Sequence, residues 1–174
     1  MNGTLTAAGG VYINGGTLSG SGAVNGSVVS SATVYPGDPT TLTINGNYTQ
    51  NAGGMLVIDI SSATDYTMLD VNGNANLDGT VDFNFLNGYV PLENTGFAFL
   101  HVSGSASGDF AGLDIAGINC PSCTLDLSTM SLDTGNTPPS PISTTPEPGS
   151  LLLFGTGLVG LAWTLRPKLQ SPAA

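Results

Sequence analysis

From Leu69 to Phe85 every odd-numbered residue is apolar or glycine (Leu69, Val71, Gly73, Ala75, Leu77, Gly79, Val81, Phe83, Phe85), and every even one is Asp, Asn or Thr. A period of two sends alternate side chains to opposite faces of an extended chain, so one face is dry and the other wet. Seventeen residues exceed an ordinary strand, and Gly73 and Gly79 are expected to mark turns or bends that keep the in-out alternation intact. The same parity recurs in Leu42, Ile44, Gly46 and Tyr48, and in Leu56, Ile58 and Ile60 after the Asn51-Ala52-Gly53-Gly54 turn. Gly3-Thr4-Leu5-Thr6 and Gly16-Thr17-Leu18-Ser19-Gly20 repeat a Gly-Thr-Leu-Thr/Ser unit. Strand-and-turn units of roughly a dozen residues, each with a single apolar face, cannot fold singly, and stacking into a solenoid buries them. The expectation is an all-β fold with a strand-rich body over residues 1–132. A β-sandwich gives similar alternation and is the alternative.

Composition agrees. Twenty-five glycines and only 8 % charged residues suit many turns and short strands rather than solvated helices, and 40 % hydrophobic residues suffice for one core. Twelve acids stand against two bases, for a net charge of -10, and every acid precedes residue 149. Such a surface repels phosphate, which excludes nucleic acid as a partner.

Groups able to do chemistry are sparse. Cys120-Pro121-Ser122-Cys123 is a C-x-x-C motif without the βαβ setting of a thioredoxin-like site. A local disulfide between Cys120 and Cys123, stapling the loop before Leu125, is expected, with free thiols or a shared metal as the other readings. The single histidine, His101, follows Phe97 and Phe99 at strand spacing and reads as an ordinary strand residue. A zinc site would need two further ligands. With one histidine and no Lys or Arg before Arg166, nucleophile-base pairs and arginine clamps cannot be assembled, so no catalytic residues and no cofactor are expected. Asp70, Asn72, Asn74, Asn76 and Asp78 form a same-face polar series, but Ala75 and Val81 stand where a calcium loop needs glycine and glutamate. The series therefore reads as the solvated outer face of the solenoid. The only glutamates are Glu93 and Glu147, which leaves aspartates for any glycosidase pair. Asn2-Gly3-Thr4, Asn25-Gly26-Ser27 and Asn47-Tyr48-Thr49 fit the N-glycosylation pattern but are read as turn residues.

The C-terminal end has a different character. Gly135 to Pro148 carries five of the eleven prolines and reads as an extended linker, assigned to residues 133–145. Leu151 to Leu165 is fifteen residues without charge, and Gly149 and Ser150 extend the run to seventeen. As a helix it would cover about 22 to 26 Å, slightly under the ~30 Å hydrocarbon core of a bilayer. Arg166 and Lys168, the only basic residues, would stay on the cytoplasmic side and leave the N-terminal 148 residues outside. Gly155, Gly157 and Gly160 weaken such a helix, which suits a temporary anchor. One transmembrane helix over 149–165 and a short cytoplasmic tail over 169–174 are expected.

Thr145-Pro146-Glu147-Pro148-Gly149-Ser150, the apolar run behind it and Arg166 resemble the PEP-CTERM sorting signal of Gram-negative, exopolysaccharide-producing bacteria, which is recognised by the membrane-embedded cysteine protease exosortase. The basic cluster departs from the pattern, being Arg166-Pro167-Lys168 rather than a run of arginines, with six residues after it. The resemblance implies a sorting signal over 146–168. In it Pro146, Glu147 and Pro148 form the processing motif, Arg166 and Lys168 form the topology anchor, and exosortase is the partner that cleaves near Pro146 to Pro148. A tail of this kind goes with an N-terminal secretory signal. Met1-Asn2-Gly3-Thr4 opens in repeat material instead, so an N-terminal truncation is expected.

Thr41 to Leu113 also resembles the passenger domains of autotransporter-like surface proteins. The likeness lies in Leu42-Thr43-Ile44-Asn45-Gly46-Asn47-Tyr48-Thr49-Gln50, Leu69-Asp70-Val71-Asn72-Gly73-Asn74-Ala75-Asn76-Leu77-Asp78-Gly79-Thr80 and Phe110-Ala111-Gly112-Leu113. This resemblance implies a right-handed parallel β-helix. The combined expectation is a non-enzymatic structural or adhesive protein of the cell surface or exopolysaccharide matrix. It would be transiently anchored in the inner membrane with its N-terminus outside, and extracellular polysaccharide would be its partner. The alternative is a secreted carbohydrate-binding module or carbohydrate-active enzyme on the same fold, which would present exposed aromatics such as Tyr12, Tyr35 or Tyr89.

Overall fold

The computed structural model describes residues 1–37 and 40–142, and residues Met1–Ile142 form one compact unit. The expected transmembrane helix, basic stub and cytoplasmic tail lie outside the described residues. Among the described residues no helix is long and apolar enough to cross a membrane.

The body is built from five successive coils of three strands each. The first holds β1 (Thr4–Thr6), β2 (Val11–Ile13) and β3 (Thr17–Ser19), and the second β4 (Ala23–Asn25), β5 (Val28–Ser30) and β6 (Thr33–Tyr35). The third holds β7 (Thr41–Ile44), β8 (Tyr48–Gln50) and β9 (Met55–Ile60), and the fourth β10 (Met68–Val71), β11 (Ala75–Leu77) and β12 (Thr80–Phe85). After β13 (Gly96–Ala98), the fifth comprises β14 (Leu100–Val102), β15 (Ala106–Gly108) and β16 (Gly112–Ala116). Corresponding strands pair in parallel into three five-stranded sheets, ordered β1-β4-β7-β10-β14, β2-β5-β8-β11-β15 and β3-β6-β9-β12-β16. The chain is thus a three-faced parallel β-solenoid. The β-sandwich alternative needs antiparallel hairpins in its sheets, whereas all three of these sheets are parallel.

Register follows from the alternation. Leu5, Val24, Ile44, Val71 and Val102 stack in one inward row, each opposite the next. Leu18, Val34, Leu56, Val81 and Leu113 form a second row on another face. Val24, Ile44, Val71, Val34, Leu56 and Val81 are fully buried. A slip of one residue would turn such a row into water, so burial locks the register. The alternation from Leu69 to Phe85 is divided among β10, β11 and β12, with corners at Gly73 and Gly79 as expected. Gly79 takes a φ of 67°. Gly73 allows close approach, since a Cβ there would lie 2.4 Å from the Gly46 carbonyl oxygen.

The repeat differs from the dozen-residue unit expected. Equivalent positions of successive coils are separated by 19, 20, 27 and 31 residues. The two Gly-Thr-Leu units are not successive repeats; they are β1 and β3, two faces of one coil. A single apolar face is too short to close a turn of solenoid, and three faces are needed before the chain returns above itself.

An antiparallel layer follows the coils. β18 (Thr124–Asp126), β19 (Ser131–Asp133) and β13 form one sheet, and β17 (Ile118–Asn119) pairs with β20 (Ser140–Pro141). Its buried Phe97, Leu132 and Ile118 join the same core as the coils. Aromatic edges close this region. Phe97 meets Tyr66 at 5.5 Å and Phe85 at 5.8 Å between ring centroids, and Phe83 meets Phe99 at 5.1 Å, all T-shaped. Such edge-to-face pairs add attraction beyond the area they bury. Ordered pairing continues past residue 132, where the linker was expected to begin. The cause is specific: the buried Thr134 hydroxyl donates to the Leu92 carbonyl at 2.8 Å and accepts the Thr95 N–H at 2.9 Å, and β20 adds a further pairing.

Candidate functional site

Pro146, Glu147, Pro148, Arg166 and Lys168 all lie outside the described residues, so their part of the site rests on sequence. The described body supplies three outer faces, and register decides what each presents.

On the first face the outward row is Thr43, Asp70 and His101. The Asp70 carboxylate meets His101 Nδ1 at 2.6 Å across adjacent coils, with the imidazole largely in water. His101 thus lies on a strand, β14, with Asp70 of the preceding coil as its partner.

At the corner after this face stands a stack that the sequence reading did not anticipate. The Asn45 amide donates to Asn25 Oδ1 at 2.7 Å, Asn72 donates to Asn45 Oδ1 at 2.8 Å, and the Ser103 hydroxyl donates to Asn72 Oδ1 at 3.3 Å. Asn25 in turn reaches Thr6 Oγ1 at 3.4 Å. Two residues on, a second stack runs from Ser27 through Asn47 and Asn74 to Ser105, in which each side-chain oxygen accepts the backbone N–H of the next coil at 2.9 to 3.1 Å. The signal was present as Asn25-Gly26-Ser27, Asn45-Gly46-Asn47, Asn72-Gly73-Asn74 and Ser103-Gly104-Ser105. It is visible only when the chain is written in coils of unequal length.

These stacks also correct the same-face polar series. Asp70 lies on the first face beside His101, Asn72 and Asn74 are held in the corner, Asn76 accepts the Ser107 hydroxyl at 3.2 Å on the second face, and Asp78 accepts the Gly79 N–H at 2.7 Å in the next turn. The chain bends through two corners over this stretch, so the five residues diverge. Among the described residues no group of three or more His, Cys, Asp or Glu is placed to hold a metal.

The third face carries three carboxylates, Asp59, Asp82 and Asp114. Asp82 stands beside Asp114 on the next coil, and Asn84 beside Asp59 on the previous one. Asp59 is largely buried; it accepts the Tyr35 hydroxyl at 2.5 Å and the Asn84 amide at 3.1 Å. Burial first, and then the Asp114 and Asp59 charges, hold the Asp82 carboxyl above the usual aspartate range. The three tyrosines of the carbohydrate alternative share no face. Tyr12 is exposed on β2, Tyr35 on β6 is engaged with Asp59, and Tyr89 stacks on Phe85 with centroids 6.3 Å apart.

Cys120 and Cys123 are joined as a disulfide. The loop they close presents the Ser122 hydroxyl to the Thr134 and Thr137 carbonyls at 2.8 and 2.9 Å. It fastens the segment between β19 and β20.

No curated protein and no solved structure matches this chain. The family model described as the PEP-CTERM protein-sorting motif matches residues 144–166. That span takes in the Pro146-Glu147-Pro148 motif, the apolar run and Arg166, so the chain carries a PEP-CTERM sorting signal, which marks an exported protein processed by exosortase at the cell envelope or surface.

Proposed function

We propose that this chain is a structural or adhesive protein of the exopolysaccharide matrix. Its acidic, right-handed β-solenoid is the working part, and exosortase delivers it. In this reading the 149–165 segment holds the protein in the inner membrane with its N-terminus outside, until cleavage near Pro146 to Pro148 passes the body to the surface. The sorting match at 144–166 carries the reading. The solenoid supports it, because its parallel outer faces are lined by Thr, Asn, Ser and Asp side chains suited to hydrogen bonding with hydroxyl-rich polymers. The test is C-terminal peptide mapping and fractionation of the protein from its native host, with and without exosortase. Loss of the tail near Pro146 to Pro148 only with the protease, and recovery in the matrix fraction, are expected. An intact Ala174 terminus in both strains would overturn processing. A cut product found free in the medium would overturn matrix attachment.

The pairing of Asp82 with Asp114 favours a second reading, a carbohydrate-active surface. Adjacent strands lie roughly 4.8 Å apart, close to the ~5–5.5 Å carboxyl separation of retaining glycosidases. Hydrolysis of host exopolysaccharide by the wild type, lost in Asp82→Asn and in Asp114→Asn, would establish it over the structural role.

A further inference from the structure

Six Asn-Gly dipeptides occur in the chain, at Asn2, Asn14, Asn25, Asn45, Asn72 and Asn87. In an unfolded chain all six share one chemical weakness. The glycine N–H, unhindered by a side chain, can lose its proton and attack the asparagine Cγ, closing a succinimide ring with loss of ammonia. Water then opens the ring at either carbonyl, leaving aspartate or isoaspartate. The only co-reactant is water, and no electrons are transferred. Two requirements decide whether a folded chain permits the step: the side-chain amide must be free to turn back on its own backbone, and the following glycine must have room to move toward it.

The structure divides the six identical dipeptides into two classes, and both requirements divide them in the same way. The amides of Asn25, Asn45 and Asn72 are held at both ends, each donating to one coil and accepting from the other. Their glycines are packed against the preceding corner. A Cβ would stand 2.3 Å from the Ala7 oxygen at Gly26, 2.6 Å from the Gly26 carbonyl at Gly46, and 2.4 Å from the Gly46 oxygen at Gly73. All six asparagines reach solvent, but Asn2, Asn14 and Asn87 take no part in the stack that holds the other three amides. Gly3, Gly15 and Gly88 have no atom within 4 Å of a Cβ position. Asn87 also sits at a φ of 54°, in the left-handed region.

We infer that Asn2, Asn14 and Asn87 are sites of spontaneous deamidation in the folded protein, and that the corner stack protects Asn25, Asn45 and Asn72 from the same reaction. Each event exchanges a neutral amide for a carboxylate and makes the acidic surface more so. At Asn87 the isoaspartate product adds a methylene to the backbone of the turn that places Tyr89 on Phe85. The solenoid core ages least where its coils are joined, and the exposed loops record the time since synthesis.

The test is a timed incubation of the full chain in detergent at mildly alkaline pH, followed by chymotryptic peptide mapping by mass and enzymatic methylation of isoaspartate. The urea-unfolded chain serves as reference. At least several-fold faster conversion at Asn14 and Asn87 than at the stacked asparagines is expected in the folded chain, with comparable rates at all six in urea. In Asn45→Ala, which deprives Asn72 of its acceptor and Asn25 of its donor, conversion at those two should rise toward the rate of the unstacked sites while Asn87 stays unchanged. Stacked asparagines converting as fast as Asn87 in the folded wild type would overturn the inference. So would unstacked sites that react in urea but not in the fold, or an Asn45→Ala chain that remains folded by circular dichroism with no rise at Asn25 or Asn72.

Discussion

Gln50 takes an inward position of the alternation, opposite the buried Ser30 of the preceding coil, where an apolar side chain is otherwise the rule. It is fully buried, its amide donates to the Asp78 and Thr80 carbonyls at 2.8 and 3.0 Å, and its Oε1 accepts the buried Tyr48 hydroxyl at 2.7 Å. Burial pushes the Tyr48 phenol well above its usual range, so it is neutral and donates. Tyr48→Phe would keep the ring but leave Gln50 Oε1 without that donor, and a loss of about 1 to 2 kcal/mol is expected in urea unfolding. Asp82 shows the opposite economy on the surface. Its folded pKa is raised, so the native state holds the proton more tightly than the unfolded chain does. Stability is therefore fullest below about pH 4, the ordinary aspartate value, and falls as pH rises from there through the folded value. Asp82→Asn should remove that fall, raising stability at neutral pH by at most about 1 kcal/mol after solvent screening, with little difference from wild type at pH below the ordinary value. Urea midpoints measured across the acid range would decide it.

At the scale of the element, coil joins to coil through corners as well as through strands. Most strands have only three residues, which is little ladder to hold an element in place, and the corner stacks supply side-chain hydrogen bonds at the points where the chain leaves the sheet. Asn ladders of this kind satisfy one amide with the next and repeat without limit along a stack. Their closeness demands glycine between the two asparagine rows. Gly73→Ala would drive a Cβ against the Gly46 carbonyl and should cost about 3 kcal/mol, whereas Gly9→Ala, with open space around it, should change stability by under about 0.5 kcal/mol. Thermal unfolding of both variants is the check.

For the whole molecule, charge is the governing quantity. A net charge of -10 with two basic residues, both C-terminal to Leu165, keeps copies apart at neutral pH. As carboxylates protonate toward about pH 4 this repulsion is lost. Light scattering should show self-association setting in there and reversing on return to neutral pH, without change in the far-ultraviolet spectrum. Removal of the tail takes Arg166 and Lys168 with it, and the processed body should focus at lower pH than the full chain.

The alternation from Leu69 to Phe85 was enough to establish strands, the buried residues and the bends at Gly73 and Gly79, because the period of two is a local property of extended backbone. The Pro-Glu-Pro motif with its apolar run and basic stub was equally local, so the sorting signal was legible without a fold. Which residues meet across coils was not legible, since the separations of 19, 20, 27 and 31 residues vary with each corner insertion and no fixed period marks them. Tertiary stacking alone decided that Asn25, Asn45 and Asn72 form one column, that Asp82 faces Asp114, that Gln50 serves Tyr48, and that the same Asn-Gly dipeptide is locked in a corner stack at one place and outside it at another. Chain sequence determined which side chains point inward. Only closure of the coil determined their neighbours, because hydrogen bonds across coils form between residues that the sequence holds far apart.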